Sequence, residues 1–226
     1  MRIERCHSTF GSAVPDPATA LLGYPVVGSP SNRGFRQPLG MYNVSITRVV
    51  HRLTEVLNQL DQVFATQPFN DSSRTHWEIS LLDAQERFLY ALFEHIEDCS
   101  NILRVVFQPD SDREKHESVR IFEKNTKKYR DLLGKIVTRM KHNQSRLRAV
   151  VFWDDERTLP GYFVEGVDPS GVIGPDRLIH GGNTAFSFAR DLRFHFASMI
   201  LRGSRRSNPS ARIEARAKEC SSAMSG

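Results

Sequence analysis

The stretch HWEISLLDAQERFLYALFEHIEDCSNILRVVF, residues 76–107, decides the fold. Leu82, Gln85, Leu89, Leu92, Ile96, Cys99, Leu103 and Val106 recur at alternating steps of three and four, which places them on one stripe of a long helix. Leu81, Phe88 and Phe93 widen that stripe beyond a two-stranded seam, as a helix inside a bundle requires. Gln108-Pro109-Asp110 ends it.

The same period extends to both sides. From about Asn43, Ile46, Val49/Val50, Leu53, Val56/Leu57, Leu60 and Val63/Phe64 form an earlier helix that stops at Pro68. Asn70-Asp71-Ser72-Ser73 then supplies a turn and N-cap candidates. A third helix is expected from about Asp112 to His142, with Phe122, Thr126, Tyr129, Leu133, Ile136 and Met140 inward. Lys124, Lys127, Lys128, Arg130, Lys135 and Lys141 take its other faces, and Gly134 inside it points to a close helix crossing.

After Arg148 the period falls to two. Ala149–Trp153, Gly161–Val167 and Gly171–Gly174, with the turn Asp168-Pro169-Ser170-Gly171, read as a small antiparallel sheet that needs the helices for support. Gly181-Gly182-Asn183-Thr184 is expected to cap a last helix whose inward face is Ala185/Phe186, Ala189, Leu192, Phe196 and Met199/Ile200. The expected fold is therefore mainly α: a bundle of four long helices with a β-hairpin or small sheet inserted before the last. Residues 1–40 form a Pro/Gly/Ser-rich arm, 41–202 the bundle domain with its β insert at 148–180, and 203–226 a basic flexible tail.

Composition limits the function classes. A 226-residue chain that is 39% apolar and 25% charged fits one domain with a core of its own. Three scattered cysteines, Cys6, Cys99 and Cys220, suit neither a disulfide framework nor a zinc site, and Cys99 reads as a small buried hydrophobe. No leader pattern and no run of about 18 apolar residues is visible, so the expectation is a cytoplasmic protein without a membrane partner. No cofactor-binding motif or metal-ligand spacing appears, and none of either is expected.

Charge is unevenly spread around the net +5. Residues 74–112 hold three basic and eight acidic side chains, whereas residues 113–148 hold twelve basic and four acidic. The positive block either faces its acidic neighbour or binds a polyanion. It ends in Arg139-Met140-Lys141-His142-Asn143-Gln144-Ser145-Arg146-Leu147-Arg148. Arg139, His142 and Asn143 share a helix face there, where cations also complement the helix dipole. As a functional site this end offers His142, Arg139 and Asn143 as a catalytic group, with Lys135, Lys141, Arg146 and Arg148 holding a nucleic-acid backbone. A second candidate is Asp176–Thr184: glycines before a helix start expose N–H groups to an anion at His180, Gly182 and Asn183, with Asp176 and His180 as an acid–base pair.

A long helix ending in Lys141-His142-Asn143, within a bundle of antiparallel helices, resembles the HEPN superfamily of bacterial helical proteins. Many of its members are ribonucleases or nucleotide-binding partners in toxin–antitoxin and phage-defence systems. The likeness covers residues 43–143 and implies RNA, a homodimer or a cognate protein as partner. It implies a metal-independent endoribonuclease site with His142 as the motif histidine. The family's arginine stands where this chain has Lys135, Ile136 and Val137, and only Lys135 keeps the charge. The alternative expectation is a non-catalytic protein–protein interaction module.

Overall fold

The computed structural model describes residues 37–65, 71–106, 116–143, 145–154, 157–181 and 185–204. The chain runs α1 (Pro38–Ala65), α2 (Asp71–Val106), α3 (Glu117–His142), β1 (Leu147–Asp154), β2 (Arg157–Val167), β3 (Ile173–Pro175), α4 (Arg177–His180), β4 (Phe186–Ser187) and α5 (Phe188–Ser204). It is mainly helical, with a small antiparallel sheet before the last helix. Among the described residues no helix is long and apolar enough to cross a membrane.

α2 is central because it is apolar on two sides. Leu81, Ala84, Phe88, Leu89, Leu92 and Ile96 are all buried, so α1 packs along one side and α3 along another. The ion pairs Arg48–Glu94 and Arg87–Glu55 fix α1 antiparallel to α2, and Arg104–Glu123 and Arg130–Glu97 fix α3 antiparallel to α2. α1 begins at Pro38, ahead of the Asn43 expected, because proline is tolerated in the first turn where no N–H donor is needed. Its broad apolar stripe divides: Val49, Val56 and Val63 are buried, while Val50, Leu57 and Phe64 stay exposed. At Gly134 a Cβ would come within 3.3 Å of the Phe93 ring, so this glycine lets an α2 aromatic lie against the α3 backbone.

β2 is the central strand. It pairs with β1 from Leu147↔Val164 to Asp154↔Arg157, and its other edge takes β3 at residues 165–167 and β4 at 161–162. It starts four residues before the Gly161 expected, since among the described residues no strand lies opposite Pro160 on the β4 side and proline is accepted there. The turn at 168–171 forms as read: Asp168 Oδ1 accepts from Ser170 N and Val172 N at 2.9 Å each, and Gly171 takes φ +84°.

The last helix corrects the sequence expectation in two respects. Ser187 caps it, its Oγ accepting from Arg190 N at 3.4 Å, whereas Thr184 lies outside the described residues. Its inward face is Phe188, Asp191, Leu192, His195 and Met199, with Phe196 at 58% exposure turned outward. The helix is rotated from the purely apolar assignment because Asp191 and His195 join a buried polar network, and Phe188 packs on Tyr162 at 5.1 Å between ring centroids. Cys99 is only partly buried, with its Sγ 3.7 Å from His95 Nε2.

Candidate nucleic-acid interface

The end of α3 is built by ordinary capping. Asn143 closes the helix, its backbone N–H donating to Arg139 O at 3.1 Å, and Ser145 N reaches the same carbonyl at 3.3 Å. Arg139, Lys141 and His142 occupy the last turn, where positive charge meets the exposed carbonyl ends of the helix.

Three carboxylates approach the arginines of this region. Arg139 Nε is 2.9 Å from Asp176 Oδ2, Arg148 pairs with Glu165, and the Arg146 guanidinium lies 4.0 Å from Glu86. Lys141 Nζ sits 5.7 Å from the Tyr90 ring centre. Burial holds the Glu86 carboxyl above its usual range, and the Leu147 N–H and Arg146 oppose that shift. His142, Asn143 and Lys135 are exposed, and none of the three makes a side-chain ion pair among the described residues. The two candidate sites thus meet at one contact, Arg139 with Asp176. Asp176 also caps α4, its Oδ1 accepting from Leu178 N at 2.8 Å.

His180 is held for packing. Its Nε2 accepts from Val164 N at 2.9 Å, its ring lies 4.5 Å from that of Phe186, and burial lowers its pKa despite the Asp176 and Asp191 charges. Asp176 therefore directs its carboxylate at Arg139 and Leu178 N, and among the described residues its one hydrogen bond with His180 is through the backbone, His180 N donating to Asp176 O at 3.0 Å. Gly182 and Asn183 lie outside the described residues.

What the sequence pattern did not isolate is a single charged stripe. Arg120, Lys124, Lys127, Lys128, Lys135 and His142 follow one another at helical spacing on α3, and all are exposed. At 1.5 Å per residue they extend about 33 Å. Asp131 is the one acid among them. None of these five lysine and arginine side chains forms an ion pair among the described residues. The acidic face of α2 takes Arg130, one place off the stripe, while Glu123 is matched by Arg104 of α2. A shallow groove of about 400 Å³ runs beside the stripe, lined by Arg120, Glu123, Lys124, Lys127, Arg130 and Asp131.

A buried polar network lies at the junction of α2, α3, β2 and α5. Tyr162 OH donates to Asp191 Oδ2 at 2.6 Å, and Gln85 Nε2 donates to the same oxygen at 3.0 Å. Tyr129 OH meets His195 Nδ1 at 2.8 Å. Burial, reinforced by the Asp191 charge, raises the Tyr162 phenol well above its usual range. Sequence reading passed over this network, although a glutamine in an otherwise apolar seam and an Asp-x-x-x-His pair on α5 both signalled it. The chain matches no family model, no curated protein and no solved structure.

Proposed function

We propose that this protein binds RNA through the exposed basic stripe of α3, as a HEPN-like, nucleic-acid-associated protein of a bacterial defence or stress module. The observation that carries the reading is that Arg120, Lys124, Lys127, Lys128 and Lys135 share a face and are free of ion pairs among the described residues. A positive row that is not neutralised from within attracts a phosphate backbone and releases its counterions on binding. The reading favours binding over cleavage. His142 is exposed, but Arg139, its neighbour on the helix, is committed to Asp176 and is poorly placed to stabilise a developing phosphorane charge. Titration of mixed-sequence single-stranded RNA at low and high salt tests this. The expected result is binding that weakens steeply with salt, without strand scission, and the contrary result is no binding even at low salt.

A second reading has its own observation. Val50, Leu57 and Phe64 are exposed at 55%, 45% and 46% and repeat every seven residues along the outer face of α1. Such a row is the seam of a helix pair, and a second copy of the chain supplies an identical row. Sedimentation equilibrium of the intact chain and of Leu57→Glu tests it: a dimer that the substitution dissociates supports it, and a monomer in both cases contradicts it.

A further inference from the structure

A cleft of about 570 Å³ opens between α3, the β1–β2 hairpin and α5. That volume lies within the range of small-ligand sites. Its apolar walls are Leu132 and Ile136 of α3, Phe152 and Leu159 of the hairpin, and Phe186 and Phe194. Its buried polar lining is Asp191 and His195, one helical turn apart on α5.

These two groups carry unused hydrogen-bonding capacity. Asp191 Oδ2 already accepts from Tyr162 and Gln85, whereas Oδ1 accepts no hydrogen bond among the described residues. His195 is 1% exposed, and its Nδ1 is engaged by Tyr129. Its Nε2 lies 3.2 Å from Asp191 Oδ2, an electrostatic contact, but the geometry is not that of a hydrogen bond and the nitrogen has no hydrogen-bond partner among the described residues. Buried polar atoms are almost always satisfied, and of the four left without a partner among the described residues (Gln85 Oε1, Ser100 Oγ, His180 Nδ1 and His195 Nε2) only His195 Nε2 belongs to a residue that lines the cleft, which points to a group that arrives from outside. Where Tyr129 donates to Nδ1, Nε2 carries the proton and is a donor. The wall then offers one acceptor, Oδ1, beside one donor, Nε2–H, within an aromatic enclosure.

We propose that this cleft binds a flat heteroaromatic ring bearing a hydrogen-bond donor next to an acceptor, as the edge of a nucleobase does. The donor of the ring meets Asp191, its acceptor meets His195, and its faces lie against Phe152, Phe186 and Phe194. Such a ring can come as a free nucleoside or as an unpaired base of an RNA strand. The second source is open because Leu132, on the cleft wall, lies four residues after Lys128 and three before Lys135 of the basic stripe. The inference goes beyond the RNA-binding reading, since a free nucleoside needs no stripe.

The test is calorimetric titration of the full chain with guanosine, adenosine, cytidine and uridine up to millimolar concentration, beside titration of single-stranded RNA. Both are repeated on Phe194→Ala and Asp191→Asn. Phe194 is 45% exposed and its truncation removes only edge contacts with the Tyr129 and His195 rings, so with its melting temperature measured alongside it decides the matter if Asp191→Asn does not fold. The expected result is saturable binding of at least one nucleoside that Phe194→Ala weakens by about tenfold, the scale of a lost base–aromatic stack. If nucleosides do not bind but Phe194→Ala weakens RNA by a similar factor, the base arrives within a strand. Absence of nucleoside binding together with unchanged RNA affinity in Phe194→Ala overturns the proposal and leaves the stripe reading standing. Nucleoside binding by a chain that does not bind RNA overturns the stripe reading alone.

Discussion

Arg139 Nε stands 2.9 Å from Asp176 Oδ2, joining the last turn of α3 to the cap of α4 across the sheet end. The Asp176 side chain is 6% exposed, so this is a mostly desolvated pair whose acid also holds the Leu178 N–H. Removing only the cation leaves a buried carboxylate with one donor. Arg139→Ala is expected to cost about 1–3 kcal/mol in urea unfolding, and Asp176→Ala to cost at least as much because the cap is lost too. Unchanged stability in both variants contradicts the contact.

Tyr162 sits at the centre of the buried network, donating to Asp191 and accepting from Gln85. Tyr162→Phe keeps the ring against Phe188 and removes only the hydroxyl. The expected loss is about 1–3 kcal/mol, measured by chemical denaturation, because Asp191 then has one fewer donor inside the core. A spectrophotometric alkaline titration gives a second readout: the Tyr162 phenol, held far above its usual range by burial, ionises only as the protein unfolds.

Gly161 faces the backbone of β4. A Cβ there would collide with the Phe186 carbonyl oxygen and with the Phe152 ring, and a carbonyl cannot rotate aside as a flexible side chain does. Gly161→Ala is expected to displace β4 and to lower stability by several kcal/mol. Thermal unfolding checks this, and an unchanged Tm contradicts the β2–β4 pairing.

His95 and His180 are both held below the ordinary imidazole pKa, first by burial and against nearby carboxylates. A base with a lowered folded pKa binds fewer protons folded than unfolded, so stability falls as the pH drops below about 6.5 toward the folded values. Unfolding free energy measured across that window is expected to decline with acid. The slope should flatten in His180→Asn, whose amide accepts from Val164 N without titrating. An equal slope in the variant contradicts the assignment.

The helices were legible because their period is repeated over many residues: apart from Gln85 and Thr126, the positions recurring every third or fourth residue from Ile46 to Phe64, from Leu82 to Val106 and from Phe122 to Met140 are apolar. The edges were less so. The reading began β2 at Gly161 and left out Arg157–Pro160; a proline ordinarily argues against a central strand, and Pro160 is accepted here because among the described residues no strand pairs with it on the β4 side. α5 was rotated because a rule that places apolar residues inward cannot see that Asp191 and His195 have partners on α2, α3 and β2. Those partners are separated from α5 by up to 106 residues. For the same reason the sequence left open whether the basic end of α3 is free or neutralised. The acids that meet it, Asp176, Glu165 and Glu86, come from three other elements.

The central claim is that unpaired charge along α3 holds RNA. The most direct measurement is the dependence of RNA affinity on salt for the full chain and for a variant carrying Lys124→Ala, Lys127→Ala, Lys128→Ala and Lys135→Ala. These side chains are exposed, so the variant should fold and melt like the parent protein. Five stripe cations on a single strand predict a slope of log affinity against log salt of about −3.5 for the parent, falling to about −1 in the variant. Equal slopes and equal affinities in the two proteins would contradict the account.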